Sequence, residues 1–239
     1  MDELVLSQSW GGLGDNLQLS TLPELYANIK KEVFLSSENT VRNPEIKDIV
    51  WDKNPFIKGI KTEPGNIGGR LFGSIPKSAW DTECNIIKKW ELVHGFNTGE
   101  NYPNPKIYYK PNKIKEHKNK IVADLTSVTT SQNYNSEALK KIICKKYLKD
   151  NFYILKPKSQ HIPQPLFEHQ TIEFSNIFEY ADIISSTKQF VCLYSGSMVL
   201  AAAIKDNNID CYFPPHESYT LEKQKPYYYF NNVNYFETL

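Results

Sequence analysis

The stretch Leu4-Val5-Leu6-Ser7-Gln8-Ser9-Trp10-Gly11-Gly12-Leu13-Gly14-Asp15 decides how the chain reads. Leu4 to Leu6 is a short apolar run of the kind that forms a buried strand. Beyond the glycines, Leu22, Leu25, Tyr26 and Ile29 fall at helical spacing. The glycines therefore occupy a turn between a strand and a helix. Pro23 removes one hydrogen bond from that helical pattern, which predicts a kink or a late helix start. Glycines at such a turn let the backbone approach a ligand closely and adopt positive φ. Open α/β sheets bind their ligands at this carboxyl end of a strand. The spacing is not GxGxxG, and no Gly-Lys-Ser/Thr follows, so neither the dinucleotide fingerprint nor a P-loop is present.

The same alternation continues outward. Lys31 to Ser36 and Ile46 to Trp51 read as further strands, and Gly59 to Pro76 as a long Gly- and Pro-rich loop. Thr82 to His94 reads as a helix stopped by Gly95. Ile107 to Tyr109 reads as another strand. The second half repeats the outline. Ile121 to Leu125 is a strand, Ser136 opens a helix, Phe152 to Leu155 is a strand, and Asn176 with Glu179 has capping-box spacing. Gln189 to Tyr194 is strongly apolar and Ile209 to Phe213 is a last strand. The aromatic tail, Tyr227 to Leu239, is expected to pack against the body. Strands alternating with helices predict parallel sheets with crossover helices.

A second turn carries chemistry. Tyr194-Ser195-Gly196-Ser197-Met198 joins a buried strand to an Ala-rich helix. The first-turn N–H groups of a helix are free and favour anions, and two hydroxyls with a glycine suit a diphosphate. Asp15 at the start of the first helix is either a cap favoured by the helix dipole or a general base facing a cleft. Taken together, the two turns suit a site split between a nucleotide and an acceptor.

Composition bounds the partners. The net charge is +1, and Arg42 and Arg70 are the only arginines. No basic excess points to nucleic acid. Lys110 to Lys120 holds five lysines against Glu116 alone. That segment reads as a solvated linker, the sharper alternative being an anionic membrane surface. Cys84, Cys144, Cys192 and Cys211 form no CxxC pair and fit buried thiols in a reducing cytoplasm. The acidic start lacks a secretory pattern, and no run approaches the ~20 apolar residues of a membrane span. No Asp-x-Asp motif is present, and His161 and His169 lack metal-ligand spacing.

Two segments resemble the ADP-heptose:lipopolysaccharide heptosyltransferase family. Leu4 to Ile29, with Gly12-Leu13-Gly14-Asp15 and then Leu19, Thr21, Pro23 and Leu25, resembles that family's opening. Ile177 to Ile204 resembles its second signature, through Ala181-Asp182, Phe190 to Tyr194, Ser195-Gly196-Ser197-Met198 and Ala201-Ala202-Ala203. The chain departs from the family at Tyr194, where Asp is usual, and at Val199, where His is usual.

The resemblance implies a GT-B fold, an α/β architecture of two Rossmann-like lobes facing across a cleft. Residues 1–112 would form the acceptor-side lobe, and 113–239 the nucleotide-sugar-binding lobe with the aromatic tail. It implies an inverting, metal-independent sugar transfer without a cofactor, the nucleotide-sugar being a substrate. Asp15 is then the catalytic base. Ser195, Gly196, Ser197 and Met198 bind the donor diphosphate, with Thr126 and Ser127 adding to donor binding. Gly12, Leu13, Gly14 and Arg70 line the acceptor side. The acceptor would be a glycan or lipid-linked glycan of a bacterial surface polysaccharide, reached from the cytoplasm, with peripheral contact at the inner membrane. A non-catalytic nucleotide-sugar-binding or scaffold protein, or a nucleotide-sugar epimerase, would share the fold and stay open as alternatives.

Overall fold

The computed structural model describes residues 3–69, 83–126, 136–148, 151–158, 169–214 and 227–238. The chain forms two compact units. One comprises Met1–Lys110 and Lys225–Phe230, the other Pro111–Gln224 and Asn231–Leu239.

The first unit is built on strands β1 (Glu3–Ser7), β2 (Glu32–Ser36), β3 (Ile57–Lys61) and β4 (Ile67–Gly68). All three pairings are parallel and the order is β3-β2-β1-β4. Helix α1 (Leu13–Leu17) follows the glycine turn, and α2 (Leu22–Asn28) starts afresh with Pro23 in its first turn. Pro23 thus opens a second helix, where its missing N–H is not needed.

Three expectations change here. Ile46 to Trp51 is helical, not a strand: α3 (Pro44–Lys47) runs into a π-helical turn, Asp48–Asp52. Asn43 caps it by accepting a hydrogen bond from Glu45 N at 3.0 Å. Ile46, Ile49 and Val50 then lie on one buried helical face. Ile107 to Tyr109 joins no sheet. Tyr108 instead donates to Glu24 at 2.9 Å and packs edge-on against Phe56. The expected loop from Gly59 contains the end of β3 and all of β4, while residues 70–82 lie outside the described residues.

Helix α4 (Ile86–Val93) begins later than Thr82, because Asn85 caps it by accepting from Lys88 N at 3.0 Å. The Asn85 amide also donates to Pro103 O and Tyr229 O. Tyr227 donates to Gln18 at 3.1 Å. The first part of the aromatic tail is therefore packed within the first unit.

The second unit holds β5 (Ile121–Asp124), β6 (Phe152–Pro157), β7 (Thr171–Phe174), β8 (Gln189–Leu193), β9 (Ile209–Phe213) and β10 (Val233–Glu237). All pairings are parallel, in the order β10-β9-β8-β5-β6-β7. Helices α5 (Ser136–Tyr147), α6 (Ile177–Ser186) and α7 (Gly196–Ile204) are the α-helices described in this unit, and a single 3-10 turn, Lys115–His117, precedes β5. Every residue of β5 and β9 is buried, as expected of a parallel sheet covered on both faces. Strands β7 and β10 are at the edges, and the sequence pattern did not mark either. Buried Asp210 ties four elements together, accepting from Lys146, Tyr147, Gln189 and Asn234.

His94 closes the core of the first unit. Its Nδ1 is 2.8 Å from the Tyr26 hydroxyl, and its Nε2 is buried without a partner among the described residues. Burial lowers its pKa from 6.5 to about 4. The unfolded chain therefore binds this proton more readily than the folded one. The stability it contributes is complete above pH ~6.5 and is lost as pH falls toward 4, by up to about 3 kcal/mol. His94→Gln should flatten that part of the profile, as measured by urea unfolding at pH 7 and pH 4.5. An unchanged pH dependence in the variant would contradict the assignment.

Candidate functional site

The sequence expectation placed chemistry at the ends of two strands, and both ends lie at points where strand order reverses. Numbered along its own stretch of chain, the second sheet runs 6-5-4-1-2-3. Its first strand, β5, is flanked by the second and the fourth, β6 and β8. In the first unit, β1 is likewise flanked by β2 and β4. Helices leaving neighbouring strands in opposite directions open a crevice at the carboxyl ends of those strands. The turn after β1 and the turns after β5 and β8 sit at these two places.

In the first unit the turn is held from below by Gln8, which is fully buried. Its amide donates to Asp15 O at 2.5 Å and accepts from Trp10 N at 3.2 Å. Asn16, also fully buried, donates to Gly12 O at 2.9 Å and accepts from the Trp51 indole at 2.8 Å. Gly11 O accepts from Arg42 N at 2.7 Å. The turn is thus over-determined by neighbours from three segments.

The glycines serve close approach, not unusual backbone angles. Gly11, Gly12 and Gly14 all keep ordinary negative φ, which corrects the expectation of positive φ. A Cβ on Gly12 would lie 2.6 Å from Asp15 Oδ2, and one on Gly11 2.9 Å from Arg42 N. Across the crevice Gly68 does use positive φ, at +96°, and a Cβ there would meet Ser7 O at 2.5 Å.

Asp15 stands three residues after the helix cap Gly12, and its Oδ2 accepts from Gly12 N at 3.1 Å. This is a capping contact favoured by the helix dipole. The side chain is half-buried, and Oδ1 has no hydrogen-bond partner among the described residues. One oxygen fixes the carboxylate and the other is available to a ligand. Leu13 and Gly14 are the first two residues of α1, and Trp10 beside them is exposed. Arg70 lies outside the described residues.

In the second unit the turns after β5 and β8 come together. Asp124 ends β5 and its partner in β8 is Cys192. Asp124 Oδ1 accepts from Thr126 N at 2.9 Å and from Thr126 Oγ1 at 2.5 Å. Its Oδ2 accepts from the Tyr180 hydroxyl of α6 at 2.5 Å. Ser197 nearby also favours the ionised form of Asp124. Burial outweighs these donors and raises the Asp124 pKa. Ser197 Oγ is also 2.7 Å from Ser195 Oγ.

Helix α7 starts at Gly196, with Ser195 at its cap making no side-chain capping bond. Met198 N turns back to Ser195 O at 3.1 Å. The N–H groups of Gly196 and Ser197 precede the first helical hydrogen bond and are left for a ligand. The Met198 side chain is fully buried, with its sulfur 3.8 Å from the Tyr235 hydroxyl. It supports the turn from the core side. Ser127 lies outside the described residues.

Sequence reasoning missed Asp124 and Tyr180. A single acid at the end of an otherwise apolar buried strand, Ile121 to Leu125, was the available signal. Among the described residues no group of three or more His, Cys, Asp or Glu side chains could hold a metal ion. All four cysteines are free. A cavity of about 360 Å³ lies beside His117, Lys120, Tyr153 and Thr171. These residues sit toward the amino ends of β5, β6 and β7, away from the switch point.

No family model and no curated protein matches the sequence. Solved structures do match the fold. The iron-containing dodecameric glycosyltransferase TibC of enterotoxigenic E. coli H10407 aligns with a TM-score of 0.64 and 14% identity, over 96% of this chain and 63% of its own. This chain therefore spans less than two thirds of TibC. A family 9 glycosyl transferase of Veillonella parvula aligns with a TM-score of 0.59 and 10% identity, over 99% and 86%. E. coli heptosyltransferase WaaC, solved with ADP, aligns with a TM-score of 0.56 and 10% identity, over 99% and 93%. The chain has the two-unit, parallel-sheet α/β fold of these GT-B-like glycosyltransferases.

Proposed function

We propose that the chain is a glycosyltransferase that takes a sugar from a nucleoside-diphosphate donor. The observation carrying this reading is the convergence of Thr126, Ser195, Gly196 and Ser197 at the switch point of the second sheet. There the unspent N–H groups of α7 and its dipole favour a diphosphate. The fold shared with TibC, the Veillonella protein and WaaC supports the same reading, as does ADP in the WaaC structure.

In this proposal the second unit holds the donor and the first unit holds the acceptor, a glycan of a bacterial surface polysaccharide. The acceptor hydroxyl gives its proton to Asp15 Oδ1 and attacks the anomeric carbon with inversion. The bond to the diphosphate oxygen breaks, and α7 stabilises the charge that gathers there. This chemistry asks for no metal ion. In this proposal Ser127 adds to the donor contacts, and Gly12, Leu13, Gly14 and Arg70 to the acceptor contacts.

The scaffold alternative has its own support in Tyr194 and Val199, which replace the family's usual Asp and His. Two experiments separate the readings. ADP, GDP, UDP, CDP and CMP should be compared for thermal stabilisation without metal. One nucleotide at 100 times its dissociation constant should add about 2.7 kcal/mol. Gly196→Val should abolish that shift by placing bulk where the phosphates approach. No shift with any nucleotide would contradict a donor site.

Asp15→Asn keeps an oxygen for Gly12 N, so stability should change little. Donor hydrolysis and transfer should fall by about 10²–10⁴-fold, the usual contribution of a positioned base. Equal turnover in the variant would remove Asp15 from the mechanism.

A further inference from the structure

Among the described tryptophans, Trp51 and Trp90 are fully buried, whereas Trp10 is 41% exposed. Trp10 stands beyond the carboxyl end of β1, where the strand order of the first sheet reverses. A single exposed apolar side chain is ordinary on a protein surface. Trp10 differs in how firmly its backbone is held. Its N–H donates to Gln8 Oε1 at 3.2 Å, and its carbonyl accepts from Asn16 Nδ2 at 3.5 Å. Both of those amide side chains are fully buried. The residues around it are pinned as well: Gln8 O accepts from Thr40 N at 2.8 Å, and Gly11 O from Arg42 N at 2.7 Å. An exposed indole on so constrained a backbone makes a rigid contact surface, because Trp offers a large area with only two χ angles to fix.

The same amides hold Asp15. Gln8 Nε2 donates to Asp15 O at 2.5 Å, so one buried side chain clasps Trp10 and Asp15 together. That carbonyl is open to Gln8 because α1 is only five residues long. Leu19 N donates to Asn16 O at 3.3 Å, three residues back, and not to Asp15 four residues back. Asn16, which reaches Trp10 O, directly follows Asp15 in the chain. The Asp15 carboxylate itself accepts from Gly12 N at 3.1 Å, two residues after Trp10. Trp10 and Asp15 therefore belong to one rigid turn, tied by four hydrogen bonds whose partners all lie within it or beneath it.

We propose that Trp10 is a specificity-determining residue of the acceptor site: its indole is the platform on which a pyranose ring of the acceptor glycan stacks, held in one turn with Asp15. This rests on the acceptor reading of the first unit. A gluco- or galacto-configured pyranose presents a cluster of C–H bonds on at least one face. Those weakly positive hydrogens meet the negative face of an aromatic ring. Stacking fixes the plane of the sugar, and a hydroxyl at the edge of the ring is then offered to Asp15 Oδ1. A linear polyol or a serine side chain has no such face. The platform therefore selects a sugar ring as the acceptor.

The test applies the whole chain to a printed array of bacterial surface oligosaccharides, as wild type, Trp10→Phe, Trp10→Leu and Trp10→Ala. Glycans bound by the wild type are then titrated against each variant by calorimetry. Trp10→Phe keeps an aromatic face and should stay within about threefold of wild type. Trp10→Leu keeps apolar bulk without that face, and Trp10→Ala keeps neither. Both should weaken binding about tenfold, the equivalent of about 1.4 kcal/mol. Ring C–H protons of the bound sugar should shift upfield with wild type and Trp10→Phe, and not with Trp10→Leu. The site is exposed, so urea midpoints should change little, which separates lost stacking from lost folding. Wild-type affinity in Trp10→Leu or Trp10→Ala would overturn the platform while leaving the acceptor site in place. No glycan bound by a wild type that a nucleotide does stabilise would overturn the acceptor reading, and this inference with it. Neither glycan binding nor nucleotide stabilisation would overturn the transferase reading as a whole.

Discussion

Strand β5 has β6 on one side and β8 on the other, and this placement governs the second unit. A right-handed crossover from β5 to β6 must pass over one face of the sheet, and a crossover leading to β8 and β9 over the other. The segments leaving β5 and β8 therefore part company at the sheet's edge. What lies between them is a crevice lined by backbone N–H groups and by whatever side chains end the two strands. Here those are Asp124, Thr126, Ser195 and Ser197. The first unit obeys the same constraint with β1 between β2 and β4, and fills the crevice with Ser7, Gln8 and the glycine turn. Two parallel sheets of similar order thus present two differently furnished strand ends.

The two ends differ in what they leave available. In the first unit the buried amides of Gln8 and Asn16 are spent on the backbone of the turn, so that Asp15 is fixed by one oxygen and open at the other. In the second unit the buried acid is inside, behind the turn, and the available groups are N–H donors. A carboxylate facing outward suits a proton acceptor, and amides facing outward suit an anion. The division of labour proposed for the two units follows from that contrast in local chemistry.

Both turns were legible in the sequence because each joins an apolar run to a helical pattern through glycine. Other elements were legible only in part. Ile46 to Trp51 is a short apolar run, ambiguous by periodicity between strand and helix. The cap Asn43 with Pro44 behind it is the signal that settles it as helix. Strand β7 alternates exposed and half-buried residues at a sheet edge, and β4 is two residues long, so neither carries a run of apolar residues to notice. Asp124 could be suspected from its place in a buried strand. Its partner Tyr180 stands 56 residues away and is brought to it only by the packing of α6. The side-chain network at the switch point is a product of tertiary structure, and no spacing rule in the chain announces it.

The amino end of α7 is proposed to receive a nucleoside diphosphate. Amide NMR of the isotopically labelled chain, titrated in turn with ADP, GDP and UDP, tests it directly. The largest shifts should fall on the N–H groups of Gly196 and Ser197, with smaller ones at Thr126. Largest shifts beside His117 and Tyr153, or none at α7 with any nucleotide, would contradict it.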